Sequence, residues 1–264
     1  RALGQMDAES AIFRHRVSAS RSGGHRADSI GLGSDSVRTG TAPKNNDNMT
    51  NFHELIEGFR NFREDYLLRE AEFFETLKSG QNPRTLVVAC CDSRVDPALL
   101  TGCRPGDLFV VRNVAALVPA CGEAARADAV MAAVEYGVKH LEVEHVIVMG
   151  HSNCGGIHGL LNPVEVKNES YIRGWLCLAH PVLDELAHTD IPEDDHHGRS
   201  RHCEEAAILL SIENLLSYGW LHDRVEAGTL KLHALYYDMH DGNLCVWDAE
   251  KEDFVPSAAI VGKA

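Results

Sequence analysis

Residues 85–95 read TLVVACCDSRV. The run begins with a threonine, a leucine and two valines, a composition typical of a buried β-strand. Cys90 and Cys91 stand where the run ends, and Asp92 and Arg94 follow at once. A core strand gains nothing from ending in two thiols and an ion pair. The stretch therefore predicts a strand whose carboxyl end carries functional side chains.

The rest of the chain alternates between apolar strand patterns and helical patterns. Strands are predicted at 107–112, 145–150, 230–239 and 243–250, and helices at 123–141, 169–188 and 201–218. Strands that alternate with helices are typical of a parallel sheet with helices on its faces. The chain is therefore predicted to adopt an α/β fold with a central, mostly parallel β-sheet flanked by helices.

The first part of the chain has a different composition. Residues 1–48 are rich in Ser, Gly, Arg and Ala without a steady hydrophobic period, and they are predicted to be a disordered leader or extension. An added leader, a processed targeting segment and a native extension are all open, and the leader is favoured because acidic residues are unusual in transit peptides. A single domain is predicted over 49–264. It opens with an N-terminal helical arm that Thr50 or Asn51 can cap and that the sequence SGQNP ends after Lys78.

Composition limits the kinds of partner. The 264 residues are 44% hydrophobic and carry a formal net charge of −14, which predicts one substantial core and argues against a nucleic acid or an anionic membrane as the main partner. A small anionic substrate needs only one or two local positive groups and is not excluded. No apolar run approaches the length of about 20 residues that spans a bilayer. The eight cysteines are too sparse for a disulfide scaffold, so a soluble, cytoplasmic protein with free thiols is predicted.

A second motif follows the predicted strand at 145–150. Residues 148–159 read VMGHSNCGGIHG, in which His151 and Cys154 are three apart and Gly155 and Gly156 allow a tight turn and close approach to a ligand. Taken alone, the pair is equally consistent with a buried thiol beside a hydrogen-bonded histidine. Together with a thiol from a neighbouring strand end, it supplies two sulfurs and one imidazole. That donor set suits zinc, and three protein ligands leave the open position of a catalytic site.

These two motifs resemble those of the β-class carbonic anhydrases. CCDSR has the form Cys-x-Asp-Ser-Arg, HSNCGG has the form His-x-x-Cys-Gly-Gly, and GDLFVVRNVA lies between them. The resemblance covers roughly residues 50–260. It implies a zinc enzyme that interconverts carbon dioxide and bicarbonate, with zinc-bound hydroxide as the nucleophile. It also implies a homodimer or a dimer of dimers with active sites at the subunit interface.

The resemblance also implies roles for single residues. Cys90, His151 and Cys154 match the zinc ligands, and Asp92 and Arg94 match the catalytic dyad. The positions implied to bind or surround the substrate are Gln81, Phe109, Val114, Tyr136 and Gly155. Some bacterial members have a tryptophan where this chain has Val87, and with an arginine and a tyrosine it forms a regulatory bicarbonate site. Arg112 and Tyr237 match the other two positions, but without the tryptophan that site is not expected in its known form.

The chemistry explains why these groups would be needed together. Two thiolate ligands make zinc a poorer acid than three imidazoles do, so its water is expected to ionise at higher pH. Asp92, kept ionised by Arg94, is expected to accept a hydrogen bond from the zinc-bound oxygen, or alternatively to occupy the fourth position itself. Three other functions remain open: a hydrolase of carbonyl sulfide or carbon disulfide, a metalloprotein without activity, and a disulfide oxidoreductase. Residues 194–203, DDHHGRSRHC, are predicted to be an exposed polar loop, with a second metal site as the alternative.

Overall fold

The computed structural model describes residues 52–122 and 128–258. In this part of the chain one unit ends at Gln81 and a second unit begins at Asn82. Residues 1–48 lie outside the described residues, and so do the predicted capping residues Thr50 and Asn51.

The first unit is helical. Helix α1 spans Phe52–Phe62, a π-helical segment spans Arg63–Arg69, and α2 spans Ala71–Lys78. The Phe62 ring contacts the rings of Tyr66 and Phe74, at centroid distances of 4.8 Å and 6.2 Å. The predicted helices and their end at Lys78 are confirmed.

The second unit is built on a six-stranded sheet. The strands are β1 Thr85–Cys90, β2 Leu108–Asn113, β3 His145–His151, β4 Lys231–Asp238, β5 Asn243–Asp248 and β6 Asp253–Pro256. Their order in the sheet is β2-β1-β3-β4-β5-β6. Strands β2, β1, β3 and β4 run parallel to one another. Strand β5 is antiparallel to β4, and β6 is antiparallel to β5. The mostly parallel α/β sheet is confirmed, and β6 is an addition that the sequence patterns did not reveal.

Helices cover the sheet. They are α3 Pro97–Thr101, α4 Ala129–Lys139, α5 Gly155–Leu161, α6 Ser170–Leu176, α7 His180–Leu186, α8 His196–Leu216 and α9 Gly219–Glu226. The longest, α8, packs so closely on β3 that a Cβ at Gly150 would lie 2.6 Å from Ile208 Cδ1. A side chain at Gly150 would therefore have to displace the Ile208 side chain. Within the described residues, no helix is long and apolar enough to cross a membrane.

The prediction of an exposed polar loop at 194–203 is wrong. Asp195 caps α8 by accepting a hydrogen bond from Gly198 N at 2.9 Å, so His196 already lies in the helix. Cys203 is fully buried, and Arg201 forms ion pairs with two carboxylates. The polar run is thus the start of a capped helix. Its polar composition led to the wrong prediction of a loop.

Candidate metal centre and active site

Three side chains from two neighbouring strand ends meet at one edge of the sheet. Cys90 is the last residue of β1, His151 is the last residue of β3, and Cys154 immediately precedes α5. Because β1 and β3 are adjacent and parallel, their carboxyl ends lie side by side. All three side chains are buried, and their ligand atoms lie within 4.8 Å of one another.

The donor set fits a zinc ion. Two sulfurs bound to one tetrahedral zinc at about 2.3 Å lie about 3.8 Å apart. The Sγ atoms of Cys90 and Cys154 are 3.9 Å apart. Nδ1 of His151 donates to the carbonyl oxygen of Ser152 at 2.9 Å, which leaves Nε2 as the unprotonated nitrogen. That Nε2 is buried and has no hydrogen-bond partner, so it is available as the third donor.

The protein part of the site already favours a thiolate. The hydrogen bond from Cys154 is the main cause that lowers the pKa of Cys90 to about 4, and it outweighs burial. The same hydrogen bond, together with burial, raises the pKa of Cys154. Burial lowers the pKa of His151, but its interactions with the Cys90 sulfur and the Ser152 carbonyl outweigh burial and raise it. A cation between the sulfurs would remove the competition and stabilise both as thiolates.

Asp92 and Arg94 form a bidentate ion pair beside the predicted ligands. Arg94 Nε donates to Oδ1 at 2.9 Å and Nη2 donates to Oδ2 at 2.6 Å. These bonds hold the pKa of Asp92 well below its usual range. Oδ2 of Asp92 is 4.0 Å from Nε2 of His151, and Arg94 Nη2 also donates to the carbonyl oxygen of Asn153 at 3.2 Å. The structure thus brings the predicted dyad to the predicted ligands and ties it to the loop between His151 and Cys154.

Arg112 braces the loop that carries the dyad. Its guanidinium donates to the carbonyl oxygens of Cys90 and Asp92 at 2.9 Å and 2.6 Å, and to Asp96 at 3.1 Å. Three donors on one rigid fork fix both the last residue of β1 and the first turn after it. The resemblance to the β-class family connected Arg112 only with a regulatory site. In the structure, its contacts are with the loop that positions Asp92.

The predicted substrate-pocket residues are distributed over several elements. Phe109 on β2 and Tyr136 on α4 contact each other at a centroid distance of 5.9 Å, and Tyr136 is 46% exposed. Val114 follows β2, is 36% exposed, and accepts a hydrogen bond at its carbonyl oxygen from Trp175 Nε1 at 2.8 Å. Gly155, the first residue of α5, is exposed directly after the predicted ligand Cys154.

Close packing places Val114 beside the start of α5. A Cβ at Gly156 would lie 2.7 Å from Val114 Cγ1, so Val114 approaches the turn that carries Cys154. Gln81 lies in the exposed loop after α2, at the end of the helical unit. Its role as a substrate-orienting residue stays a prediction.

One buried carboxylate in the site was missed. Glu204 on α8 is 4% exposed, and its Oε1 accepts hydrogen bonds from Cys154 N at 3.1 Å and from Ser200 Oγ at 3.2 Å. Its Oε2 accepts a hydrogen bond from the Tyr236 hydroxyl at 2.8 Å. Glu204 therefore anchors the backbone of a predicted ligand residue. The available signal was the pair of acidic residues inside the otherwise apolar stretch CEEAAILL, one of which had to face the core.

Comparison with known proteins identifies the family. A family model described as carbonic anhydrase matches residues 85–244. The mitochondrial beta carbonic anhydrase 6 of Arabidopsis thaliana is 36% identical over 199 residues, which are 74% of this chain and 67% of that protein. The chain belongs to the β-class carbonic anhydrases. This carbonic anhydrase is therefore an enzyme, a lyase of a zinc-dependent family that hydrates carbon dioxide.

Solved structures support the same assignment. The structure of the β-carbonic anhydrase CcaA is 35% identical, has a TM-score of 0.71, and covers 77% of this chain and 98% of its own. One of two tetrameric β-carbonic anhydrases from Sordaria macrospora is 27% identical with a TM-score of 0.65, covering 74% of this chain and 95% of its own. The cytoplasmic location stays a prediction, since the Arabidopsis relative is named as mitochondrial.

Proposed function

We propose that this carbonic anhydrase uses zinc to convert carbon dioxide and water into bicarbonate and a proton. The observation that carries the proposal is the buried group of two sulfurs and one unpaired imidazole nitrogen at the carboxyl edge of the parallel strands. Cys90, His151 and Cys154 would hold the metal. When bound, zinc would supply a Lewis acid that lowers the pKa of a water towards neutrality.

Asp92 and Arg94 would orient the attacking water. The carboxylate of Asp92 lies beside His151 Nε2 and can accept a hydrogen bond from that water, which directs a lone pair at carbon dioxide. Arg94 keeps Asp92 ionised and in one rotamer. Because both carboxylate oxygens are engaged by Arg94, we infer that the resting enzyme keeps Asp92 off the metal.

The remaining predicted residues would recognise the substrate. Phe109, Val114 and Tyr136 would supply apolar walls for a linear, uncharged molecule. Gln81 would donate an amide hydrogen to a substrate oxygen as that oxygen gains negative charge. The exposed backbone at Gly155 would allow the substrate to approach the turn beside Cys154.

We further propose that the enzyme assembles as a homodimer or a dimer of dimers. Four apolar residues of α1, namely Phe52, Leu55, Ile56 and Phe59, form an exposed stripe at helical spacing. Val110 is exposed on β2, the edge strand of the sheet. The tetrameric Sordaria macrospora proteins have the same fold. Analytical ultracentrifugation of the full chain would test the assembly, and a monomer at micromolar concentration would contradict it.

Stopped-flow hydration of carbon dioxide, with zinc content measured on the same samples, tests the catalytic proposal. We expect one zinc per chain and fast hydration in the parent protein, and loss of both in Cys90→Ser and Cys154→Ser. Cys203→Ala is the matched control, because Cys203 is equally buried and burial raises its pKa to about 12, which makes it a poor ligand. Full zinc occupancy without hydration, or turnover only of carbonyl sulfide or carbon disulfide, would contradict the proposal.

A further inference from the structure

Hydration produces a proton that has to leave the site. One carbon dioxide and one water give one bicarbonate and one proton, and the next turnover requires that this proton reach a base in bulk solvent. Histidine is the side chain best suited to this transfer, because its imidazole exchanges a proton near neutral pH. The question is which histidine the fold places beside the metal ligands.

The loop after β4 is attached to the ligand loop, which is the short segment that runs from His151 to Cys154. Strands β3 and β4 are neighbours, so the residues that follow each strand lie next to each other. Met239 N donates to Ser152 Oγ at 2.8 Å, and Asn153 Nδ2 lies 3.0 Å from His240 Nε2. His240 is thus in contact with the short segment that joins the ligands His151 and Cys154.

Asn153 connects this histidine with the dyad. Its backbone has a φ of 55°, a left-handed conformation that asparagine tolerates better than most residues. In that conformation its carbonyl oxygen accepts a hydrogen bond from Arg94 while its side-chain amide reaches His240. One residue therefore lies between the Asp92–Arg94 pair and an exposed imidazole.

The hydrogen bond fixes the state of the imidazole. The Nδ2 group of Asn153 can only donate, so Nε2 of neutral His240 is the acceptor and Nδ1 carries the ring hydrogen. The lone pair of Nε2 points towards the ligand loop. A proton taken up at Nε2 breaks this bond or requires the Asn153 amide to turn its oxygen to the ring.

A second imidazole lies on the solvent side. The rings of His197 and His240 meet edge to face at a centroid distance of 5.3 Å, and both residues are exposed. Asp238 accepts a hydrogen bond from the backbone N of His240 at 2.9 Å, and Arg201 pairs with Asp238 at 3.2 Å. Asp241 follows in sequence, and Arg94 lies beyond Asn153.

We propose that His240 is the proton-transfer residue of this enzyme, with His197 as its partner on the solvent side. The proton released by hydration moves through water to Nε2 of His240, and the imidazolium then gives it to His197 or directly to a buffer base. The proposal rests on the proposed hydration of carbon dioxide. It adds the residue that returns the site to its starting protonation state.

The test separates proton transfer from the hydration step. Stopped-flow hydration is measured for the zinc-loaded full chain in limiting and in saturating imidazole buffer. We expect His240→Ala to lower kcat about tenfold in limiting buffer, to leave kcat/KM unchanged, and to recover in saturating imidazole. His240→Gln should behave in the same way, because glutamine can keep a hydrogen bond to Asn153 but cannot carry the proton. His188→Ala removes an exposed histidine whose Nδ1 contacts the Asp184 carbonyl oxygen, and it should behave like the parent.

Oxygen-18 exchange between carbon dioxide and water gives an independent readout. In His240→Ala the release of labelled water, which needs the proton, should fall, while the interconversion of carbon dioxide and bicarbonate should not. A parent that hydrates carbon dioxide while His240→Ala matches it in limiting buffer would overturn this inference alone. The same holds if His140→Ala, at the residue that follows α4, shows the buffer-dependent loss in place of His240→Ala. A zinc-loaded parent without hydration would overturn the proposed function and this inference with it.

Discussion

Removal of the Glu204 carboxylate tests whether a buried acceptor holds the ligand loop in place. In Glu204→Ala the hydroxyl of Tyr236, a residue that is 1% exposed, loses its acceptor, and so does the N–H of Cys154. Each unsatisfied buried donor costs about 1–3 kcal/mol, so the free energy of unfolding should fall by about 2–6 kcal/mol. Ser200 is only half-buried and can turn to water, so it adds little.

Two matched variants separate the acceptor from the volume of the side chain. Glu204→Gln keeps the volume and one carbonyl oxygen, and its amide can donate to the Tyr236 hydroxyl, so a loss of about 1 kcal/mol is expected. Glu193→Ala removes an exposed acidic residue just before the same helix and should change stability by less than about 0.5 kcal/mol. Urea unfolding followed by circular dichroism, at one fixed protein concentration, measures all three. Equal losses in the alanine and glutamine variants of Glu204, or no loss in either, would refute the reasoning.

Three further outcomes are expected. Asp92→Asn should keep its zinc but lose most hydration activity, because an amide cannot accept the same charge-assisted bonds; near-parental turnover with full zinc would contradict this. Gly156→Ala should lose about 1–3 kcal/mol in thermal unfolding and should lower kcat/KM, because the new Cβ would lie 2.7 Å from Val114 Cγ1; an unchanged protein would show that this packing is not tight. Burial, with nearby positive charge, lowers the pKa of His233, whose Nε2 lies 3.1 Å from His145 Nδ1. As the pH falls from about 7 to 5, the unfolded chain binds a proton that folded His233 refuses, so stability should decrease, and His233→Gln should reduce that slope in urea titrations at several pH values.

The strands were predictable because each is a short apolar run between polar residues. The run at 85–90 coincides with β1, the run at 107–112 is shifted by one residue from β2, and the run at 145–150 is one residue shorter than β3. Strand β6 was not found, because four residues that end in a proline give almost no periodic signal. The stretch 194–203 was misinterpreted because its polarity is typical of a loop, whereas the cap at Asp195 starts a helix there.

The sequence predicted the reactive groups of the site better than it predicted the residues that hold them in place. Two cysteines and a histidine at strand ends predicted a zinc donor set, and an adjacent aspartate and arginine predicted a dyad. The anchoring role of Glu204 was not predictable, because the rotation of α8 decides whether Glu204 or Glu205 faces the ligand loop. The contact between Asn153 and His240 depends in the same way on the pairing of β3 with β4.

The sequence by itself determined which atoms are available at this site, since the side chains at the ends of apolar runs define donor type and charge. Only the tertiary structure decided that those atoms meet. Cys90 and Cys154 are 64 residues apart in the chain, and their sulfurs come within 3.9 Å because β1 and β3 pair in parallel register. Register and strand order depend on the packing of the whole core, which no local pattern contains.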